Sequence, residues 1–324
     1  MLKYLVKRII SLIPVVIVIS IMLFGFVKIM PGDPVLGMMN PNIKDPVEYQ
    51  AQEARIREQL GLDKSLPEQY VKWVGNTVKG DLGFSLSERK PVKDVIGRPL
   101  QNTISVNVIA ITLSFIISVI VGIKSAVKRG GWYDKTWQVL SIIGMSMPTL
   151  LISILLIYVF AIKLGWFPTQ GMPVQGMTSG FASVVEWMKY ATLVIMTLTI
   201  GSLASTIRYV RNAMIEVLNS DYIRTARAKG LSNKVIIYSH AFRNALIPVV
   251  TILAGSIAGI FGGAAITERI FSWNGIGSVL VSGINSRDYQ LVLAINIFYA
   301  IISLVSNVVM DIGYALVDPR VKLD

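Results

Sequence analysis

The sequence predicts an all-α, polytopic membrane protein with six spanning helices. Three observations carry that prediction. Of the 324 residues, 53% are hydrophobic and only 15% are charged, against about 25% charged in an ordinary soluble domain. The missing charge falls in long apolar runs, each near the ~20 residues that a spanning helix needs. Lys and Arg gather in every second connection between those runs, the pattern that topology imposes on a membrane protein. A mean hydropathy of +0.60 agrees.

The first span, residues 9–29, holds an apolar run from Ile9 to Val27 that follows Lys3, Lys7 and Arg8. This opening imitates a secretory signal, whose apolar core is about 7–15 residues and ends at a small-residue cleavage site. Here the run is longer and passes straight into Lys28 and MPGDP, so it reads as an uncleaved span. The segment from Met30 to Arg98 comes next. From Asp33 to Arg98 it holds ten basic and ten acidic residues, and alternation of the spans places it on the extracytoplasmic side. PVEYQAQEARIREQLGL after Asp45 reads as a helix stopped by Gly61. SLPEQYVKWVGNTVKG reads as another, with Pro67 early and Gly80 as its terminator. Val71, Trp73 and Val78 are expected to give the second helix one apolar face. The segment is expected to form a small helical cap, too small for an independent binding domain.

The second span is expected over residues 103–123 and the third over 137–164. Pro148, in GMSMPTL, removes a backbone hydrogen bond and kinks the third. Two readings stand: a bend lining a pathway, or a tolerated kink in a packed bundle. The fourth span covers 190–207. The fifth, 245–266, carries Ala254, Gly255, Ala258, Gly259, Gly262 and Gly263, a spacing that lets helix backbones approach closely. That contact serves either a paired subunit or packing within the chain. The sixth span, 291–316, holds Asn307 and Asp311. Asp311 reads either as a structural partner of Arg320 or as a proton path.

Charge sets the orientation. Lys3, Lys7 and Arg8 share a side with Lys124, Lys128, Arg129 and Lys135. Arg208, Arg211, Arg224, Arg227, Lys229, Lys234 and Arg243 fall on that side too, with Arg320 and Lys322. The positive-inside rule makes it cytoplasmic, together with both termini. The same placement accounts for the net charge of +12 without a nucleic-acid partner. Cys is absent and His240 stands alone, which excludes disulfides, a thiolate nucleophile and Cys or His metal sites. HExxH, GxSxG and GxxxxGK[ST] do not occur, and GGWYDKT has the wrong spacing for a phosphate loop. No catalytic residue, metal or cofactor is expected. The chain reads as a non-enzyme, and any ATP-driven work needs another polypeptide.

The most informative stretch is the basic insert at 212–248, between the fourth and fifth spans. Asp221 or Ser220 caps a short helix through YIRTARAKG, which ends at Gly230. Tyr222, Ile223 and Ala226 supply an apolar face; Arg224, Arg227 and Lys229 supply charge. A second helix is expected from Ser232 to about Leu246. The pair reads as a knob for a partner's groove, or as interfacial helices on anionic lipid.

The segment RTARAKGLSNKVIIYSHAFRNALIP resembles the signature loop of ATP-binding-cassette importer permeases, in the subgroup that moves oligopeptides, dipeptides or nickel. Arg224-Thr225-Ala226 stands where the wider family has Glu-Ala-Ala, and Gly230 matches its glycine. The likeness extends along nearly the whole chain, through MPGDP, LGLDKSLPEQYVKWVGNTVKGDLGFSL, GMSMPTL, LGWFPTQG, ERIFSWNGIGSVLV and ALVDPRVK. Asn274 stands where the family more usually has Pro, a change expected to loosen that turn.

The resemblance implies a type I importer permease fold in a bacterial or archaeal cytoplasmic membrane. Its partners would be a second permease, two ATPases and an extracytoplasmic peptide-binding protein. It also implies an ATPase-coupling site at Tyr222, Ile223, Arg224, Thr225, Ala226, Arg227, Ala228, Lys229, Gly230 and Leu231. The expected division is an N-terminal span with its loop at 1–98 and a transmembrane core at 99–324. Peptide import is the leading function. Import of nickel or another small solute is the alternative, and a membrane scaffold or sensor is the reading without transport.

Overall fold

The computed structural model describes residues 2–29, 45–174, 179–245 and 255–317, with positions 33, 35, 39, 42, 43, 249 and 253. The first span is α1 (Leu2–Ile29), which begins before the apolar run and carries Lys3, Lys7 and Arg8 on its first turns. The second is α4 (Val92–Val127), of 36 residues, and the fourth is α7 (Phe181–Leu218), of 38. At 1.5 Å per residue these helices reach about 54 and 57 Å, well beyond a hydrocarbon layer of about 30 Å. Their ends therefore project past the bilayer at both faces.

The third span departs from a single kinked helix. Helix α5 (Trp132–Ser146) stops, and α6 (Thr149–Leu156) runs on into a wide π-helical turn, Ile157–Lys163. The two pieces meet at 105°. Met147, at φ −79 and ψ 125, takes the extended conformation that a following proline imposes, and Pro148 cannot donate into the turn before it. Residues 246–248, 250–252 and 254 of the fifth predicted span, Ala254 of its small-residue stripe among them, lie outside the described residues. Its described part is broken into α10 (Ile257–Phe261) and α11 (Ala265–Ile270). Helix α12 (Ile276–Asn285) and the long α13 (Tyr289–Val317) complete the chain.

The most extensive contact is α4 on α7. Buried positions recur along α4 at Thr103, Val106, Ala110, Ser114, Ser118, Val121 and Ser125, one stripe of a helix. Most are small, so the two backbones come close. A side chain added at Gly122 would press on Val210, with Cβ 2.8 Å from Cβ. Helix α1 lies at the edge, against α13, where Arg8 Nη2 sits 2.8 Å from Asp311 Oδ2. Asp311 thus forms an ion pair with α1; Arg320 lies outside the described residues.

The cap consists of α2 (Pro46–Leu60) and α3 (Leu66–Val78), as expected. The Asp45 carboxylate accepts from Val47 N, and Gly61 closes α2 at φ 68. The apolar face of α3 is not the expected one. Tyr70 and Trp73, three apart, stack on Phe24 of α1, with the Tyr70 hydroxyl 2.7 Å from Ser20 Oγ. Val71 and Val78 are exposed. They share a face with each other at a seven-residue spacing, but Trp73 points roughly opposite. Two short strands, β1 (Phe84–Ser85) and β2 (Lys90–Pro91), pair antiparallel below the cap. The buried Asp288 at the start of α13 fixes this hairpin by accepting from Ser85 Oγ at 2.6 Å and from Ser87 N and Oγ.

Candidate functional site

At the end of the bundle opposite the cap, α7 turns through Asn219 and Ser220 into α8 (Asp221–Ala228). Ser220 is extended, as an N-cap should be, although its hydroxyl bonds back to Val217 O rather than into the helix. Asp221 in the first turn and Arg227 in the last complement the helix dipole. The helix closes in a Schellman turn: Gly230 N bonds to Arg227 O and Leu231 N to Ala226 O. Gly230 has φ +76, and a Cβ there would meet nothing within 4 Å. Backbone conformation alone calls for glycine.

The structure divides the ten predicted coupling residues into two sets. Ile223 and Ala226 are buried and pack with Met214, Ile236, Ala241 and Ile123. Their apolar face is spent inside the chain. Tyr222, Arg224, Thr225, Arg227, Ala228, Lys229, Gly230 and Leu231 are exposed. Arg224 and Asp221 form an exposed pair at 3.3 Å, worth little in water. The outward surface is therefore small, firmly based and basic.

The second helix of the insert begins with α9 (Asn233–Val235), capped by Ser232, and widens into a π-helical stretch, Ile236–Phe242. Lys229, Gly230, Leu231 and Ser232 separate it from α8. Pro248 lies outside the described residues.

Sequence reasoning missed the groups that brace this end. Arg211 of α7 holds Asp134 of α5 in a two-pronged ion pair, at 2.5 Å and 2.8 Å. Asp134 also accepts from Gly130 N, so one carboxylate ties the α4–α5 turn to α7. The two partners stand 77 residues apart, and no local pattern joins them.

The opposite end is braced as well. Glu268 lies past the fifth predicted span, yet it is buried. It accepts from Thr103 Oγ1 at 2.8 Å, from Ser278 N at 2.7 Å and from Gly277 N. The last two are first-turn donors of α12, so Glu268 caps that helix from a distance. Burial pushes its carboxyl above the usual range, while these hydrogen bonds pull it down. Asn107 of α4 donates to the carbonyls of Gly259, Ile260 and Gly262, which the end of α10 frees. This is how broken backbone is tolerated at membrane depth.

Of the glycines in the predicted stripe, Gly263 makes the closest approach: a Cβ there would collide with the backbone of Gly277. The turn at Asn274 is pinned rather than loose. Asn274 N points at Met172 Sδ, Asn274 O accepts from Asn102, and the neighbouring Trp273 is fully buried.

A bundle of long apolar helices with a braced helical insert invites comparison with transporters. Residues 102–323 match the family described as binding-protein-dependent transport system inner membrane component. Residues 1–107 match the N-terminal region of the same class. The chain belongs to this family. A putative peptide permease protein of Brucella suis is 34% identical over 324 residues, covering all of both chains. The oligopeptide transport system permease protein AppB of Bacillus subtilis is 36% identical over 323 residues, 99% of this chain and 100% of that one. Among solved structures, a chain of the MetNI methionine ABC transporter in inward-facing conformations aligns with a TM-score of 0.53. It is 17% identical and covers 69% of this chain and 98% of that one, a likeness of fold. This inner membrane component is therefore a membrane-embedded permease of a bacterial ABC transporter with the type I permease fold.

Proposed function

We propose that this permease forms, with a second permease, the path of an ATP-driven importer for oligopeptides or dipeptides. ATP hydrolysis resides in two separate ATPase subunits, and an extracytoplasmic peptide-binding protein delivers the substrate. The relatives named for peptide and oligopeptide transport, matched end to end, support the substrate class. One structural observation carries the coupling role. Ile223 and Ala226 root α8 in the core beneath α7, while Arg224, Arg227, Ala228 and Lys229 face outward. Motion imposed on that surface is passed into α7 and α4 rather than lost in a loop.

In this reading the termini and α8 are cytoplasmic, and the cap at α2–α3 is extracytoplasmic. Residues 1–98 form the N-terminal span and cap unit, and 99–324 the transmembrane core. Because the chain has no Cys, single cysteines placed at Lys79 and Lys229 report the two sides by impermeant labelling. The coupling role is tested with Arg227→Glu and Ala228→Trp, reading peptide uptake and co-purified ATPase. A fall of tenfold or more in both is expected. Undiminished uptake with full retention of the ATPases sinks the reading. Co-purification of a partner without ATPase activity, with no uptake defect on deletion, would favour a scaffold.

A further inference from the structure

A groove of about 320 Å3 opens between the last turns of α4 and the π-helical stretch after α8. One wall carries Ile120, Lys124, Val127 and Lys128; the other carries Tyr238 and Phe242. Ile120, Lys124 and Val127 follow each other at four and three residues, so they form a single stripe along α4, and Lys128 caps its C-terminus. The stripe is ordered. Ile120 belongs to the charge-free run, and the amines lie one and two turns further along, at the end of the helix. That is the order of hydrocarbon and headgroup at a bilayer face. Ile120 and Tyr238 are both more than half exposed, so the walls are open to an occupant. Lys124 lies over the Tyr133 ring at 4.6 Å, a cation–π contact that holds its amine at this level.

The geometry points to a binding site for one anionic phospholipid. Its acyl chain lies along Ile120 and Phe242, and its phosphate meets Lys124 and Lys128. Charge complementarity selects this occupant: an amphiphile with one apolar and one anionic end matches a groove with one apolar and one cationic end. The bound lipid braces the π-helical stretch against α4. That stretch follows α8 through a turn and α9 and packs against α8, so the lipid also steadies the insert. The lipid site stands on the groove alone; only its effect on ATPase coupling rests on the function proposed above.

The test uses the full-length chain in nanodiscs of phosphatidylcholine with phosphatidylglycerol, released into native mass spectrometry. Wild type is expected to retain phosphatidylglycerol over phosphatidylcholine. Lys124→Gln with Lys128→Gln is expected to lower that retention about tenfold. Ile120→Trp, which fills the apolar end, is expected to lower it with both amines intact. Lys135→Gln removes one nearby exposed charge outside the groove and is expected to change nothing. Equal retention in all four proteins overturns the site. Displacement of the lipid by millimolar inorganic phosphate would assign the amines to a free anion instead. A photo-crosslinker at position 120 that captures a protein segment rather than lipid in native membranes also overturns the proposal. Lipid retention that survives when Arg227→Glu abolishes ATPase binding separates this site from the coupling reading.

Discussion

Arg211 grips Asp134 with two nitrogens, Nε at 2.5 Å from one carboxylate oxygen and Nη2 at 2.8 Å from the other. Planar two-pronged geometry of this kind makes a strong charge-assisted pair. The Asp134 side chain is almost fully buried and that of Arg211 partly so. Removing one partner leaves the other charge without compensation, at a cost of about 3–5 kcal/mol. Asp134→Ala is therefore expected to lower the melting temperature in detergent markedly. Arg211→Ala with Asp134→Ala is expected to lower it less than the two single effects combined. A double-mutant cycle measures this, and strict additivity of the two losses would show that the pair is not coupled.

Gly230 gives a graded prediction. Open space surrounds its missing side chain, and φ is +76, so substitution costs backbone strain of about 1–2 kcal/mol without a clash. Asn tolerates this conformation better than Ala, and Val worst of all. Peptide uptake is expected to fall in the order Gly, Asn, Ala, Val, with the amount of folded protein little changed. An Ala variant as active as wild type, beside an impaired Asn variant, would contradict the conformational account.

What the sequence disclosed and what it hid divide along physical lines. Charge-free runs marked α1, α4, α7 and α13, because bilayer solvation leaves a compositional trace. Their true lengths were hidden. Val92–Gln101 of α4 carries Lys93, Asp94 and Arg98 yet is helical, since a helix continues past hydrocarbon wherever propensity and packing allow. Gly230 was legible as a stop because a positive φ leaves few other residues. The inward face of Ile223 and Ala226 was legible as spacing, but whether it met a partner or the chain's own core was not. Asp311 pairs with Arg8 across two helices, a contact that chain proximity does not suggest. Thr103 and Glu268 are 165 residues apart. Pairings at that range depend on how helices are arranged, which hydropathy does not encode. Likewise Pro148 announced a bend, whereas its size, 105°, is not encoded in the proline.

Glu268 predicts a pH dependence with a definite sign. Burial raises its carboxyl above the ordinary value of 4.5. The folded state thus holds this proton more tightly than the unfolded state does. Stability from this group is complete below about pH 4.5 and declines as pH rises from there through the raised value. Glu268→Gln removes the titration while still offering an oxygen to the α12 donors. The wild-type melting temperature minus that of Glu268→Gln is expected to fall with rising pH across that window. A difference that rises with pH would reverse the assignment. Glu268→Ala strands the Ser278 and Gly277 donors and opens a void, so it is expected to destabilise at every pH.

Asn107 separates hydrogen bonding from packing at the broken fifth span. Its amide nitrogen lies 3.0–3.1 Å from the carbonyls of Gly259, Ile260 and Gly262. Only a donor suits three acceptors. Asn107→Leu keeps the branched skeleton, with methyl groups in place of the amide atoms, but leaves those carbonyls without this donor, at a cost of about 1–3 kcal/mol. Asn107→Asp has nearly the same shape but turns lone pairs toward the carbonyls, and its ionised form would be repelled. If the amide is there to satisfy the freed backbone, thermal stability is expected to rank Asn above Leu and Leu above Asp. If Asn107 merely fills space between α4 and α10, Asp should rank above Leu, because it is the closer match in shape. Melting curves of the three purified proteins decide between the two orders, and uptake measured in parallel shows whether the α10–α11 break must stay braced for transport.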